Sequence, residues 1–123
     1  MATTSQPIRD YIRGDSRVIN IQINQSDGAT PFNLTGCEVF FTVNASTNPT
    51  ADTDASAVIA LKTSTFATPT NGLASVTITN AISQDIAPGT YYYDVQLKDS
   101  QGNITSLHQN QFLVIADITR AVT

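Results

Sequence analysis

Thr90–Lys98 reads TYYYDVQLK, and the fold class turns on this run. Tyr91, Tyr93, Val95 and Leu97 fall on one side of an extended chain, and Tyr92, Asp94, Gln96 and Lys98 on the other. Side chains of a strand alternate between its two faces, and aromatic and β-branched residues suit that surface. The segment therefore predicts a half-buried strand with the first set turned inward.

The residues before it sharpen the expectation. Asn80 is placed to cap a single helical turn that sets Ile82 and Ile86 on one side, and Pro88-Gly89 stops it. A helical turn, then Pro-Gly, then a tyrosine opening a strand is the pattern of the tyrosine corner in immunoglobulin-like sandwiches, where a phenolic hydroxyl pins the crossover between sheets. Pro88, Gly89 and Tyr91 form this structural corner, with Tyr93 packing beside it.

Further out, Arg17–Asn24 alternates Ile19, Ile21 and Ile23 against Asn20, Gln22 and Asn24, and Ser26-Asp27-Gly28 supplies a turn. In Cys37–Asn44, the residues Cys37, Val39, Phe41 and Val43 share a face opposite Glu38, Phe40 and Thr42. Residues Pro7–Ile12 read as a short edge strand, Ala57–Thr63 and Leu73–Thr79 as two more strands, and Ile104–Ala116 as the last. About seven strands with no helix long enough for a parallel βαβ unit predict an all-β class, an immunoglobulin-like antiparallel β-sandwich. Residues 1–6 are small and polar and read as a flexible arm, 7–117 as the sandwich, and 118–123 as a short tail. The stretch from Ala45 to Ser56 lacks core residues and reads as a long exposed loop.

Composition restricts the function. The chain has 123 residues, 41% hydrophobic and only 13% charged, with a formal net charge of -4. The few basic residues do not cluster, so there is no electrostatic footprint for nucleic acid. No apolar run approaches the length of a membrane span, and the amino end, MATTSQPIRDYIRGD, has no signal-peptide pattern. A single cysteine, Cys37, rules out an intrachain disulfide and suits a protein folded in a reducing cytoplasm.

Catalytic groups are scarce. The only histidine, His108, and Cys37 are the pair from which a thiol dyad would be drawn. Cys37, however, shares the parity of Val39 and Phe41, which makes it a small core residue. Asp52 and Asp54 in the long loop lack the further carboxylates and bidentate glutamate of a calcium loop. Arg13-Gly14-Asp15 is a corner between strands, and the sequons at Asn24, Asn33, Asn44 and Asn103 are what an Asn-, Ser- and Thr-rich chain contains by chance. The expectation is no enzyme, no cofactor and no metal. The final strand is apolar on both sides, Phe112 and Val114 against Leu113 and Ile115, and Phe40 and Tyr92 are outward rings. Leu113, Ile115, Phe40 and Tyr92 are accordingly the candidate interface.

Three groups of residues carry a family resemblance. They are Ile12-Arg13-Gly14-Asp15 with Asp27-Gly28 and Phe32–Gly36, then Pro88–Leu97, then Asp99–Asn103 with Phe112–Arg120. Together they resemble the immunoglobulin-like amino-terminal domain of tailed-phage baseplate upper proteins and related small phage virion structural proteins. The resemblance implies a multi-copy or homo-oligomeric component of a bacteriophage virion. Its partners would be other virion proteins, in the tail or baseplate or on the capsid as a decoration or cement protein. A carbohydrate- or cell-surface-binding sandwich is the alternative, with Phe40 and Tyr92 as sugar platforms.

Overall fold

A computed structural model describes residues 8–45 and 58–116. The arm 1–6, the tail 118–123 and most of the loop between Ala45 and Ser56 lie outside these residues. The described chain forms seven strands: β1 (Ile8–Ile12), β2 (Arg17–Gln22), β3 (Glu38–Asn44), β4 (Ile59–Thr63), β5 (Leu73–Ile78), β6 (Gly89–Lys98) and β7 (Ile104–Ile115). A single α-helical turn, α1 (Asn80–Ser83), and a 3-10 turn at Pro69–Asn71 complete it. One sheet has the order β1-β7-β6-β3-β4, and β2 pairs with β5 in a second. The fold is an all-β sandwich.

Strand parity builds the core. Val39, Phe41 and Val43 of β3 are fully buried, and their partners Leu97, Val95 and Tyr93 on β6 are buried with them. Phe112 and Val114 extend this inner face onto β7, and Tyr11 extends it onto β1. Ile21, Ala74, Val76 and Ile78 close it from the two-stranded layer. Phe41 stacks on Tyr93 with ring centroids 5.3 Å apart and meets Phe112 edge-on at 6.4 Å, while Tyr11 lies 5.4 Å from Phe112. The core is thus aromatic along the large sheet and aliphatic on the small one.

Two features differ from the sequence-based expectation. The sheet is not wholly antiparallel: β1 runs parallel to β7, with Tyr11 beside Val114 and Ile12 beside Ile115. A parallel pair needs a long crossover, and here nearly the whole domain provides it. Gly14, at φ 89, then carries the chain from one sheet to the other. The helical cap also sits one residue earlier than expected, because the Thr79 hydroxyl, not Asn80, accepts from the Ile82 N–H at 3.4 Å.

Hydroxyl groups fasten the crossovers. The Tyr91 hydroxyl donates to the Ala87 carbonyl at 2.6 Å, across Pro88-Gly89. At the first crossover, the Tyr11 and Ser83 hydroxyls both donate to the Asp15 carbonyl at 2.8 Å. Ser83 is buried, and this bond satisfies its hydroxyl. At the far end of β2, Gly72 adopts φ 69 against the backbone: its carbonyl accepts from the Ile23 N–H at 2.7 Å, and an added Cβ would collide with the Ile23 carbonyl. Replacing Tyr91 by Phe is expected to cost about 1 kcal/mol. Gly72→Ala, which combines left-handed backbone strain with a clash, is expected to cost more than about 1 kcal/mol. Urea unfolding of both variants measures the two losses.

Candidate functional site

Because β3, β6 and β7 point alternate residues inward, the other residues form the outer face of the five-stranded sheet. Phe40 lies opposite Gln96, and Thr42 opposite Asp94. Tyr92 lies between Asn44 and Gln111, Asp94 beside Gln109, and Thr90 beside Leu113. At the β1 edge, Ile12 pairs with Ile115, and these side chains are 40% and 42% exposed. The four residues read from the sequence as an interface, Leu113, Ile115, Phe40 and Tyr92, therefore share one face. Phe40 stands at one end of it; Leu113 and Ile115 stand at the other. Its described residues range from half-buried to exposed, so no second layer of described residues covers it.

Polar groups separate the apolar ones. The Gln96 amide is 3.4 Å from both the Asp94 carboxylate and the Ser106 hydroxyl. The Lys62 ammonium stands 3.9 Å from the Glu38 carboxylate at the Phe40 end, a wide and exposed pair worth little to stability. Ile12 is the residue that sequence reading missed. It belonged to a short strand of unknown neighbours, and only the parallel pairing sets it against Ile115.

The structure does not bring Cys37 and His108 together. His108 pairs with Val95, whereas Cys37 immediately precedes Glu38, the partner of Lys98. That is a separation of about 10 Å along β6 alone. The Cys37 thiol is buried, with the Asn33 and Thr35 carbonyls 4.0 and 3.9 Å from its sulfur. Burial, and then the charge of Asp99, push its pKa up. Arg13-Gly14-Asp15 forms the turn between β1 and β2, in which the Asp15 N–H donates to the Ile12 carbonyl at 3.0 Å. Asp52 and Asp54 lie outside the described residues. Among the described residues, no group of three or more His, Cys, Asp or Glu side chains is placed to hold a metal ion. Nor is any helix among them long and apolar enough to cross a membrane.

No protein-family model and no curated protein matches the sequence. Solved structures do match the fold. The soluble domain of PmoD from Methylocystis sp. ATCC 49242 (Rockwell) is similar with a TM-score of 0.52 and 15% identity, over 86% of this chain and 77% of that one. CopC from Methylosinus trichosporium OB3b is similar with a TM-score of 0.51 and 12% identity, over 96% of each chain. The likeness is one of fold alone.

These neighbours correct the family expectation. Neither PmoD nor CopC is a phage baseplate protein, and no link to a phage is found. The resemblance to baseplate upper proteins is overturned. With it go the virion role in tail, baseplate or capsid decoration, the virion proteins as multi-copy partners and the virion location. The carbohydrate- or cell-surface-binding alternative has no support either. The physical reason lies in the residues that carried the resemblance. Gly14, Gly36 and Gly102 are turn glycines with positive φ, and Tyr91 fastens a crossover, so they report how a sandwich is folded and not which family it serves.

The buried thiol makes a measurable difference. A raised thiol pKa means that the folded chain keeps a proton which the unfolded chain releases near pH 8.5. This contribution to stability is full below that pH and is lost as the pH rises through the folded value. Cys37 is expected to resist a thiol-specific disulfide reagent at pH 8 in the folded protein and to react fully in urea. Replacing it by Ala should flatten the alkaline decline in stability.

Proposed function

We propose that the chain is a non-enzymatic recognition domain that docks a polypeptide partner on the outer face of its large sheet. The observation that carries this reading is the placement of Leu113, Ile115, Tyr92 and Phe40, with Ile12, on one uncovered face. Protein-binding surfaces combine aromatic and aliphatic anchors with hydrogen-bonding groups and few charges at the centre. On this face Gln96, Gln109 and Gln111 lie among the apolar residues, Asp94 is the one charge near its middle among the described residues, and the Glu38–Lys62 pair stands at one end. The face lies on strands already ordered by ladder hydrogen bonds, so little backbone ordering entropy is lost there on binding. The non-enzymatic character is supported by a buried thiol and by the separation of Cys37 from His108.

The test uses the full chain. Peptides selected from a random library on the immobilised protein are mapped by their effect on backbone amide resonances. The footprint is expected on β1, β3, β6 and β7, and Ile115→Asp or Tyr92→Ala should weaken binding about tenfold or more without loss of folding, as measured by circular dichroism. A footprint confined to other elements, or affinity unchanged in both variants, would overturn the reading.

A further inference from the structure

At one end of the sandwich the loops converge. The Leu34 N–H donates to the Pro69 carbonyl at 3.0 Å and the Ile23 N–H to the Gly72 carbonyl at 2.7 Å. An added Cβ on Gly36 would lie 3.1 Å from the Ser100 Cβ. Beyond β2 the chain makes a narrow excursion, closed by the Asn24–Pro31 bridge and by the Gln25 N–H donating to the Thr30 carbonyl at 2.7 Å. In this excursion and the residues just after it lies a cleft of about 420 Å³, lined by Gln25, Ser26, Asp27, Phe32 and Asn33. That volume falls within the range of small-molecule sites.

Its walls define a chemistry. Phe32 is half-buried, packed on the core from one side, and gives the cleft a fixed aromatic wall. Among the described residues, Asp27 supplies the only formal charge in the lining. Its carboxylate accepts from the Ala29 and Thr30 N–H groups at 2.9 Å each and from the Thr30 hydroxyl at 2.5 Å. A carboxylate offers roughly four acceptor directions, so this turn fixes the group and leaves capacity for an outside donor. The same bonds, the Thr30 hydroxyl foremost, hold its pKa at about 2, so it is ionised throughout the physiological range. The converging loops 23–37, 64–72 and 99–103 contain Asp27 and Asp99 but no Lys, Arg or His. Lys98 and Lys62 belong to the strands and face Glu38 across the sheet.

We infer that this cleft binds a small organic ammonium ion, its charge on the Asp27 carboxylate and its apolar body against Phe32. The fixed anion favours a cation over an isosteric neutral molecule, and the ring gives the apolar body a face to pack on. The Gln25 and Asn33 amides and the Ser26 hydroxyl at the cleft supply hydrogen-bonding surface around it. The inference is independent of the outer-face docking, since the cleft and the face share no residue.

The experiment is a titration of the full chain with benzylammonium chloride, and separately with benzyl alcohol, at pH 7 and low salt, followed by amide resonances. Benzylammonium should give saturable shifts centred on residues 25–33, with at least fivefold tighter binding than the alcohol. Asp27→Asn keeps a side-chain oxygen for the Ala29 and Thr30 N–H groups while removing the charge, and should weaken benzylammonium at least fivefold. Absence of saturable shifts in 25–33, or equal affinity for alcohol and ammonium, would overturn the inference. If Asp27→Asn does not fold, the two ligands compared on the native sequence still decide it.

Discussion

Four aromatic rings hold the large sheet together sideways. Tyr11, Phe112, Phe41 and Tyr93 come from β1, β7, β3 and β6, and each ring is within 6.4 Å of another in the row. Each such contact adds about 0.5–1.5 kcal/mol beyond the area it buries. The row also fixes register. A slip of one residue in β6 would turn Tyr93, Val95 and Leu97 outward and bring Tyr92, Asp94 and Gln96 into the core. The character of the outer face, apolar at intervals and otherwise rich in amides, is therefore a by-product of what the inner face requires.

The small sheet cannot cover the large one alone. Two strands lie over five, and the remainder of the inner face is closed by irregular segments. Ile86 after α1, Leu34 before β3 and Ile23 beyond β2 are all buried in the same core. Irregular chain can be used this way only where its polar groups are satisfied. The hydroxyls of Tyr11, Ser83 and Tyr91 do this at the crossovers, and backbone bonds through Gly72 and Pro69 do it at the loop end. The cleft forms in the 25–33 segment, whose Asp27 turn meets much of its own hydrogen-bonding need while Phe32 packs back on the core.

Much of this was legible in the residues. Alternation identified β2, β3 and β6 because each has one face against the core, and Pro88-Gly89-Tyr91 marked the crossover through its chemistry. The parallel docking of β1 was not legible, since five residues carry no signal of which strand they will join or in which direction. Ile12 was missed for that reason, and so was the burial of Ser83, a hydroxyl whose partner is 68 residues away in the chain. The site was legible only in part. Parity gave the outward position of Phe40 and Tyr92, whereas the cleft depends on the Asp27 turn and on how the loops converge, which no local pattern encodes. The family resemblance failed because turn glycines and a corner tyrosine are required by the architecture, whatever the protein does.

The parallel pairing of β1 with β7 has a bearing on how the chain is made. β1 is made before the other described strands, yet its neighbour among them in the sheet, β7, ends at Ile115. Until that strand has emerged, β1 has nothing to pair with, and Tyr11 lacks the ring of Phe112 that it packs against. The hairpin-like contact of β3 with β4 is available much earlier and spans a shorter stretch of chain. Closing this long loop therefore waits for β7, and contacts of such separation slow folding. During that interval the nascent chain would expose Phe112's future site on β1 and the unfinished edge of β6 to whatever else is in the compartment.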